Sequence, residues 1–183
     1  MSTESVTANE ATGATLIRAT DNHETLQING SYAVTCIRDG NTIWEDTIKN
    51  LVVTVGKNDL LDKYLAGSAY TAAWYMGLVD GASTPTYAAG DTLASHAGWA
   101  ESSAYSGSNR ITVAWNSASA GSKASTSTSF SINATATIAG ALLTQTQVRA
   151  TTTGILYSVG SFSGGNRSVL SGDTLLITYT ASV

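Results

Sequence analysis

The sequence predicts a mainly β protein, an antiparallel β-sandwich of the jelly-roll kind with one short α-helix and an extended N-terminal arm. Three observations predict it. Short runs rich in valine, isoleucine, tyrosine and tryptophan recur along the chain, separated by glycine, serine and asparagine turns. About ten such runs occur with only one helical segment, whereas a parallel sheet would need crossover helices. Hydrophobic residues make up 43% of the 183-residue chain, which favours a folded domain despite much serine and threonine.

The chain divides at about residue 30. Residues 1–29 form the predicted flexible arm, and residues 30–183 form the predicted β-sandwich domain. The arm is polar with few apolar positions, so we expect it to extend along a partner. Its candidate partner-binding residues are Leu16, Ile17, Leu26 and Ile28. Residues 1–16 lack a basic segment followed by an apolar one, so we expect no signal peptide.

The domain begins with a predicted β-hairpin formed by residues 32–37 and 42–48. Asp39-Gly40 between two strand-like runs favours a tight turn, although two- and three-residue loops leave two registers open. Residues 51–55 are predicted as a third strand. Residues 72–79 are almost wholly apolar, which is typical of a strand buried on both faces.

One helix is predicted near residues 58–66. Asn58 can cap its N-terminus, and Gly67 can supply the left-handed residue that ends it. Four apolar residues form one stripe at helical spacing: Leu60, Leu61, Tyr64 and Leu65. We expect this stripe, Leu61 and Leu65 included, to be buried against a sheet, as a core cover rather than a partner-binding helix.

The remaining predicted elements alternate strands with loops. Residues 80–97 are predicted as a long loop that carries the single proline, and residues 116–129 as a linker of small residues. The predicted strands lie at residues 99–105, 111–115, 130–132, 136–143, 154–159, 167–170 and 174–183.

Charge is unevenly distributed along the chain, whose net charge is −4. Residues 1–101 carry twelve acids and five bases, and residues 102–183 carry one acid and four bases. This pattern arises by chance over two faces or produces two opposed poles that suit contacts between copies. Neither half is basic enough to predict nucleic-acid binding. No apolar run is long enough to predict a membrane span, and the single cysteine, Cys36, is predicted as a core residue.

Catalytic and metal-binding patterns are missing from the sequence. Asp91, Ser95 and His96 could be combined into a hydrolytic triad, but their spacing is unspecific and no G-x-S-x-G motif occurs. Histidine, cysteine and carboxylates do not cluster as a metal site requires. We therefore expect no enzymatic activity and no cofactor.

Aromatic residues allow two interpretations. They could line a sugar-binding platform or pack in the core, and their place inside apolar strands favours the core. The residues concerned are Trp44, Trp74, Trp99 and Trp115, with Tyr64, Tyr70 and Tyr75.

Several motifs carry a family resemblance. The first group contains Trp44-Glu45-Asp46, Asn50-Leu-Val-Val53, Gly56 and Asn58-Asp-Leu-Leu-Asp62, leading into Trp74-Tyr-Met-Gly-Leu78. The C-terminal group contains Phe130-Ser-Ile132, Gly140, Gly154-Ile-Leu-Tyr157, Phe162-Ser-Gly and Ser171-Gly-Asp-Thr-Leu175. With these motifs, roughly residues 30–183 resemble a group of tailed-bacteriophage virion structural proteins. The resemblance implies a virion component without catalytic residues, a capsid decoration (cement) protein rather than a tail fibre.

We therefore expect a capsid decoration protein that is made in the host cytoplasm and binds the capsid exterior. Its expected partner is the major capsid protein, and we expect a homo-oligomer, dimer or trimer, on the shell, without nucleic-acid or membrane contacts. Edge strands and the arm could add to a neighbouring sheet. The alternative is a tail or fibre module that recognises host-surface glycans through exposed aromatic residues. A third hypothesis is a small hydrolase.

Overall fold

The computed structural model of the protein describes residues 27–65, 67 and 73–183. The predicted partner-binding residues Leu16, Ile17 and Leu26 lie outside these residues, as does Tyr70. The described strands are β1 (Asn29–Arg38), β2 (Asn41–Lys49), β3 (Leu51–Val52), β4 (Trp74–Asp80), β5 (Ile111–Val113), β6 (Ser122–Ala124), β7 (Thr128–Ser131), β8 (Ala136–Thr144), β9 (Leu156–Ser161), β10 (Arg167–Val169) and β11 (Thr174–Ser182). The described helix is α1 (Thr54–Leu65).

These strands form two antiparallel sheets. Sheet A has the order β2-β1-β11-β6, and β7 also pairs with β11. Sheet B has the order β3-β9-β8-β4-β5, and β10 pairs with the beginning of β8. The predicted fold class, a mainly β sandwich with one helix, is confirmed.

The predicted hairpin is confirmed, and the structure decides its register. Arg38 pairs with Asn41, so the turn has two residues, Asp39 and Gly40. Both have positive φ, 49° and 78°, as a type I′ turn requires. Asparagine, aspartate and glycine tolerate this region best, which explains why Asp-Gly occupies the turn.

The main core lies between the two sheets and follows the alternation of the strands. In β1 and β11, every second side chain is buried, and the intervening ones face outward. The inward residues of these two strands are Tyr32, Val34, Cys36, Leu175, Ile177 and Tyr179, each at most 2% exposed. Sheet A is therefore covered by sheet B on its inner face.

A second core lies on the outer face of sheet B. It consists of Val53, Val79, Leu93, Trp99, Ala139, Leu142, Leu156 and Val159. Val53, just before α1, and Leu93 and Trp99 of the long loop after β4 supply the covering residues. Because sheet B has a core on each side, the middle of β4 is buried on both faces, as residues 72–79 predicted.

The predicted helix begins and packs differently from the prediction. It starts at Thr54, four residues before Asn58, and the Thr54 amide donates to the Ala89 carbonyl at 2.8 Å. That bond satisfies an end amide without a side-chain cap. The Leu61 and Leu65 side chains, expected to be buried, are 44% and 74% exposed.

The first turn of α1 holds the helix on sheet B instead. Gly56 is the buried residue of α1, and a Cβ there would lie 2.5 Å from the Tyr157 carbonyl oxygen. Further along, the Asp59 carboxylate accepts from Gln145 Nε2 at 2.6 Å. Close backbone contact through a glycine therefore replaces the apolar stripe as the anchor of the helix.

Three other predicted elements need correction. Residues 99–105 form no strand and contribute only the isolated bridges of Glu101 and Tyr105, because their side chains cap the sandwich. The strand predicted at residues 51–55 ends at Val52, where α1 takes over the chain. The predicted linker 116–129 contains β6 and the start of β7, since small residues suit a short strand paired with β11.

Bridges and ion pairs join the two sheets along their edges. At one edge, Ile48 of β2 bridges Phe162, and Asp46 accepts from Arg167 at 2.6 and 2.9 Å. At the other edge, Trp115 bridges Ser125. Backbone edges that would otherwise attract other strands are thus partly covered.

Ion pairs also connect the two halves of the chain that differ in charge. Three described pairs, Arg38–Asp173, Arg110–Glu101 and Arg167–Asp46, each join residues 1–101 to residues 102–183 at 2.6 to 2.8 Å. Residues 27–183 contain nine of the acids and eight of the bases, so three of the four net negative charges belong to residues 1–26. Ion pairs thus join the described parts of the two halves.

Candidate functional site

An aromatic cavity lies at one end of the sandwich, between the two sheets and beside α1. Its volume is about 380 Å³. The described part of its wall comes from six strands or strand ends and from the helix. The central wall residues are Trp74, Trp115, Leu143, Tyr157, Tyr179 and Ala181. Cavities of this size and apolar lining are typical of small-ligand sites.

Ring contacts fix the aromatic wall. The Trp74 ring meets the Tyr157 ring edge-on at 5.3 Å, and the Trp115 ring meets the Tyr179 ring edge-on at 6.1 Å. Tyr157 and Tyr179 themselves meet edge-on at 6.5 Å. Such contacts hold the rings in place, so the cavity is a preformed space rather than a gap between mobile side chains.

One polar group of this wall has no hydrogen-bond partner among the described residues. Trp115 Nε1 is buried and unpaired, and a buried unpaired donor costs free energy. By contrast, the Tyr179 hydroxyl accepts from Asn50 Nδ2 at 3.2 Å.

Charged residues stand at the mouth of the cavity. Asp59 and Lys63 pair at 2.9 Å. Lys123 donates to the Asn116 carbonyl at 2.8 Å, and no carboxylate of the described residues forms an ion pair with it. The mouth therefore carries one positive charge that the described residues do not neutralise.

The two wall tyrosines act only as neutral groups. Burial raises the pKa of Tyr157, and the nearby Asp59 carboxylate raises it further. Burial also raises the pKa of Tyr179 well above its usual value. Neither phenol ionises near neutral pH, so both can only offer neutral hydrogen bonds or ring faces to a ligand.

A second candidate site is the outer face of sheet A, called here the bare face. None of its residues is buried in the described part of the chain, whereas the opposite outer face of the sandwich is covered by α1 and a loop. Its middle residues are Ser31, Ala33, Thr35 and Ile37 of β1, and Thr174, Leu176, Thr178 and Thr180 of β11. This is a surface of mostly short side chains.

Charges on the bare face are confined to its β2 edge, at Glu45 and Lys49. The middle strands present no ionisable side chain outward. Depletion of charge is typical of the centre of protein interfaces.

The imagined triad of Asp91, Ser95 and His96 is not assembled. The Asp91 carboxylate accepts from Trp99 Nε1 at 3.0 Å and from the Ala88 amide at 3.1 Å. His96 Nδ1 lies 3.0 Å from the Thr92 carbonyl, so Asp91 does not orient the imidazole as a triad requires. These residues stabilise the long loop.

The aromatic residues are divided between core and cavity. Trp99 is 7% exposed in the outer core of sheet B. Trp44, Trp74 and Trp115 are partly buried and pack against the main core. Tyr64 is 86% exposed at the mouth of the cavity. The core interpretation holds for most of this set, and Trp74 and Trp115 also line the cavity.

Ile28 is the predicted partner-binding residue that the structure describes. It is partly buried and packs against the main core, just before β1. The predicted boundary of the sandwich domain at residue 30 lies one residue after the start of β1.

Sequence reasoning missed three contributors to the cavity. Lys123 lay in a segment predicted as linker, and Tyr157 and Tyr179 were considered only as strand residues. The pairing of β6 with the end of β11 brings Lys123 beside Ala181, and nothing local in the sequence announces that pairing. A signal existed for Tyr179 and Ala181, which continue the inward alternation of β11.

Comparisons with known proteins give no family. No protein-family model matches the chain, and no curated protein matches it. Among the described residues, no three histidine, cysteine or acidic side chains come together as a metal site would need. The described helix is too short to cross a membrane.

Proposed function

We propose that this protein is a non-enzymatic virion structural protein, a capsid decoration (cement) protein that binds and stabilises the major capsid shell from outside. The motif resemblance to tailed-bacteriophage virion proteins supports the class. The proposed mode of action, docking on the shell, is supported by the bare face of sheet A. The described residues leave this face uncovered, while they cover the opposite side of the sandwich. In this proposal the bare face docks on the major capsid protein.

The size of the bare face suits this role. Its long strands have nine or ten residues at about 3.3 Å each, and it is four strand positions wide at about 4.8 Å. The product is about 600 Å², against about 800 Å² per partner in a standard interface. One face thus supplies most of a stable contact, and linked copies on a repetitive shell would strengthen it through avidity.

The chemistry of the bare face also suits a protein partner. Leu176 and Ile37 lie on its two central strands among threonine and serine hydroxyls. Short side chains lose little conformational entropy when they are buried, so docking costs less than at a lysine-rich surface. The low charge lets the face meet another weakly charged surface without desolvating ions.

The N-terminal residues and the oligomeric state complete the proposal. The proposed contacts with a neighbouring subunit are made by Leu16, Ile17 and Leu26. The segment that contains them leads directly into β1 of sheet A. The protein is proposed to act as a dimer or trimer on the capsid. Neither contact involves nucleic acid or a membrane.

A second candidate function is a tail or fibre module that recognises host-surface glycans. The aromatic cavity favours it, because Trp74 and Trp115 could stack on a sugar ring and Tyr64 stands exposed at its mouth. In this case the bare face would contact other tail components.

Abundance in purified virions tests the first proposal against the second. A decoration protein occupies the shell in many copies, so a stained gel should show a strong band whose intensity, relative to the major capsid band, fits one copy per few capsid subunits. A faint band, comparable with the tail proteins, would favour the fibre module. Absence from virions would overturn both.

A further inference from the structure

We propose that the aromatic cavity binds a ligand made of one six-membered ring that bears a carboxylate. The ring would lie between Trp74 and Trp115, and the carboxylate would pair with Lys123. This inference goes beyond the proposed function, because it concerns the free protein and would stand if docking on a shell failed.

The ring is inferred from the wall. Trp74, Trp115 and Tyr157 enclose the space with aromatic surface, and Leu143 and Ala181 add aliphatic surface. The cavity volume of about 380 Å³ lies within the range of small-molecule sites. That is room for one ring with its substituents, and a wall of this composition gains free energy when a flat, partly apolar ring displaces water.

The carboxylate is inferred from the balance of charge at the mouth. Asp59 and Lys63 neutralise each other, and Asp59 also accepts from Gln145. Lys123 donates one hydrogen bond to the Asn116 carbonyl, which leaves two further N–H donors and a full positive charge. An anionic ligand matches this mouth, and a cationic one does not.

Two sources share this chemistry, an acidic sugar and an aromatic acid. The test uses D-glucuronate for the former and phenylacetate for the latter, with D-glucose and phenylacetamide as their neutral counterparts. The protein has four tryptophans, so two-dimensional ¹H–¹⁵N NMR follows each indole N–H separately. Trp115→Phe and Trp44→Phe assign two of these signals, and Trp44 provides a matched control because its Nε1 is also buried and unpaired but lies outside the cavity.

We expect at least one acid at millimolar concentration to move the Trp115 signal along a saturable curve while the Trp44 signal stays in place. The acid that binds identifies the source. Lys123→Gln should weaken binding about tenfold, the effect of one charge-assisted hydrogen bond. Lys49→Gln, which removes an exposed lysine of β2, should leave it unchanged. Lys123 is exposed, so this substitution is not expected to unfold the protein.

Three results would overturn the proposal. The first is that neither acid moves the Trp115 signal. The second is that the neutral counterparts bind as tightly as the acids. The third is that Lys123→Gln and Lys49→Gln bind alike.

Discussion

Asp173 shows how single residues secure this sandwich. Its buried carboxylate accepts from Arg38 Nε and Nη2 at 2.6 and 2.8 Å and from the Leu170 amide at 2.8 Å. The same carboxylate raises the pKa of the adjacent Cys36 thiol, which burial has already raised, to about 11. The turn before β11 and the end of β1 are thus joined by one charged side chain.

Acid sensitivity follows from this contact. The Arg38 hydrogen bonds hold the pKa of Asp173 below its usual value, against the opposing effect of burial. A carboxyl whose folded pKa is depressed contributes stability above the unfolded pKa, and that stability is lost as the pH falls through the folded pKa. The melting temperature should therefore decline below about pH 4, the usual value for a free aspartate.

Replacing Asp173 by Asn isolates this contribution. The variant should melt at a lower temperature than the native protein at pH 7 and should lose less on acidification, which a thermal melt series from pH 7 to acid would measure. Asp62→Asn, which changes an exposed carboxylate of α1, is the control. Equal acid slopes for Asp173→Asn and the native protein would contradict this account.

At the scale of elements, the helix shows what sequence patterns can and cannot predict. Its existence followed from one run of helix-forming residues, and the hairpin followed from Asp39-Gly40. Its buried side could not be predicted, because Leu61 and Leu65 form an apolar stripe that the structure leaves exposed. The anchor is Gly56, whose close approach to Tyr157 depends on a strand about a hundred residues later in the chain.

The strands, like the helix, could be predicted only in part from the sequence. Long strands with clear alternation, such as β1 and β11, could be predicted with their inward residues. The short strand β6 could not, since its serine and alanine residues carry no hydrophobic period and the strand depends on pairing with β11. The cavity depends on that pairing as well, so it too could not be predicted.

Substitutions in α1 test this anchor. Gly56→Ala should cost about 1–3 kcal/mol of unfolding free energy, because the added methyl group would meet the Tyr157 backbone. Leu65→Ala should change it by less than about 0.5 kcal/mol, as substitutions of exposed residues usually do. Urea unfolding would measure both. A large loss of unfolding free energy in Leu65→Ala, together with no change in Gly56→Ala, would show that the apolar stripe and not Gly56 holds the helix on the sheet.

At the scale of the whole molecule, the proposed docking surface is distinct from most of the charged residues. Three ion pairs join the two halves, and the middle of the bare face has no charge. Docking through this face is therefore not expected to depend on exposed charges.

Attachment to the shell should resist salt. Raising the ionic strength to 1 M shortens the screening length to about 3 Å, which would release a protein held by exposed ion pairs. Docking through the bare face should leave most of the protein bound, as sedimentation of washed shells would show. Stepwise release with rising salt would instead indicate a charged contact, such as one made by Glu45, Lys49 or residues 1–26.

The central claim, that the bare face docks on the capsid, is tested most directly by co-sedimentation of the protein with shells that lack it. Thr178→Arg places a charge in the middle of that face, and Ser83→Arg places the same charge on the exposed loop on the opposite side. Burying an unpaired arginine should weaken shell binding by Thr178→Arg at least about tenfold, while Ser83→Arg binds like the native protein and both variants keep the native melting temperature. Unchanged binding by Thr178→Arg, or an equal loss in Ser83→Arg, would contradict the account.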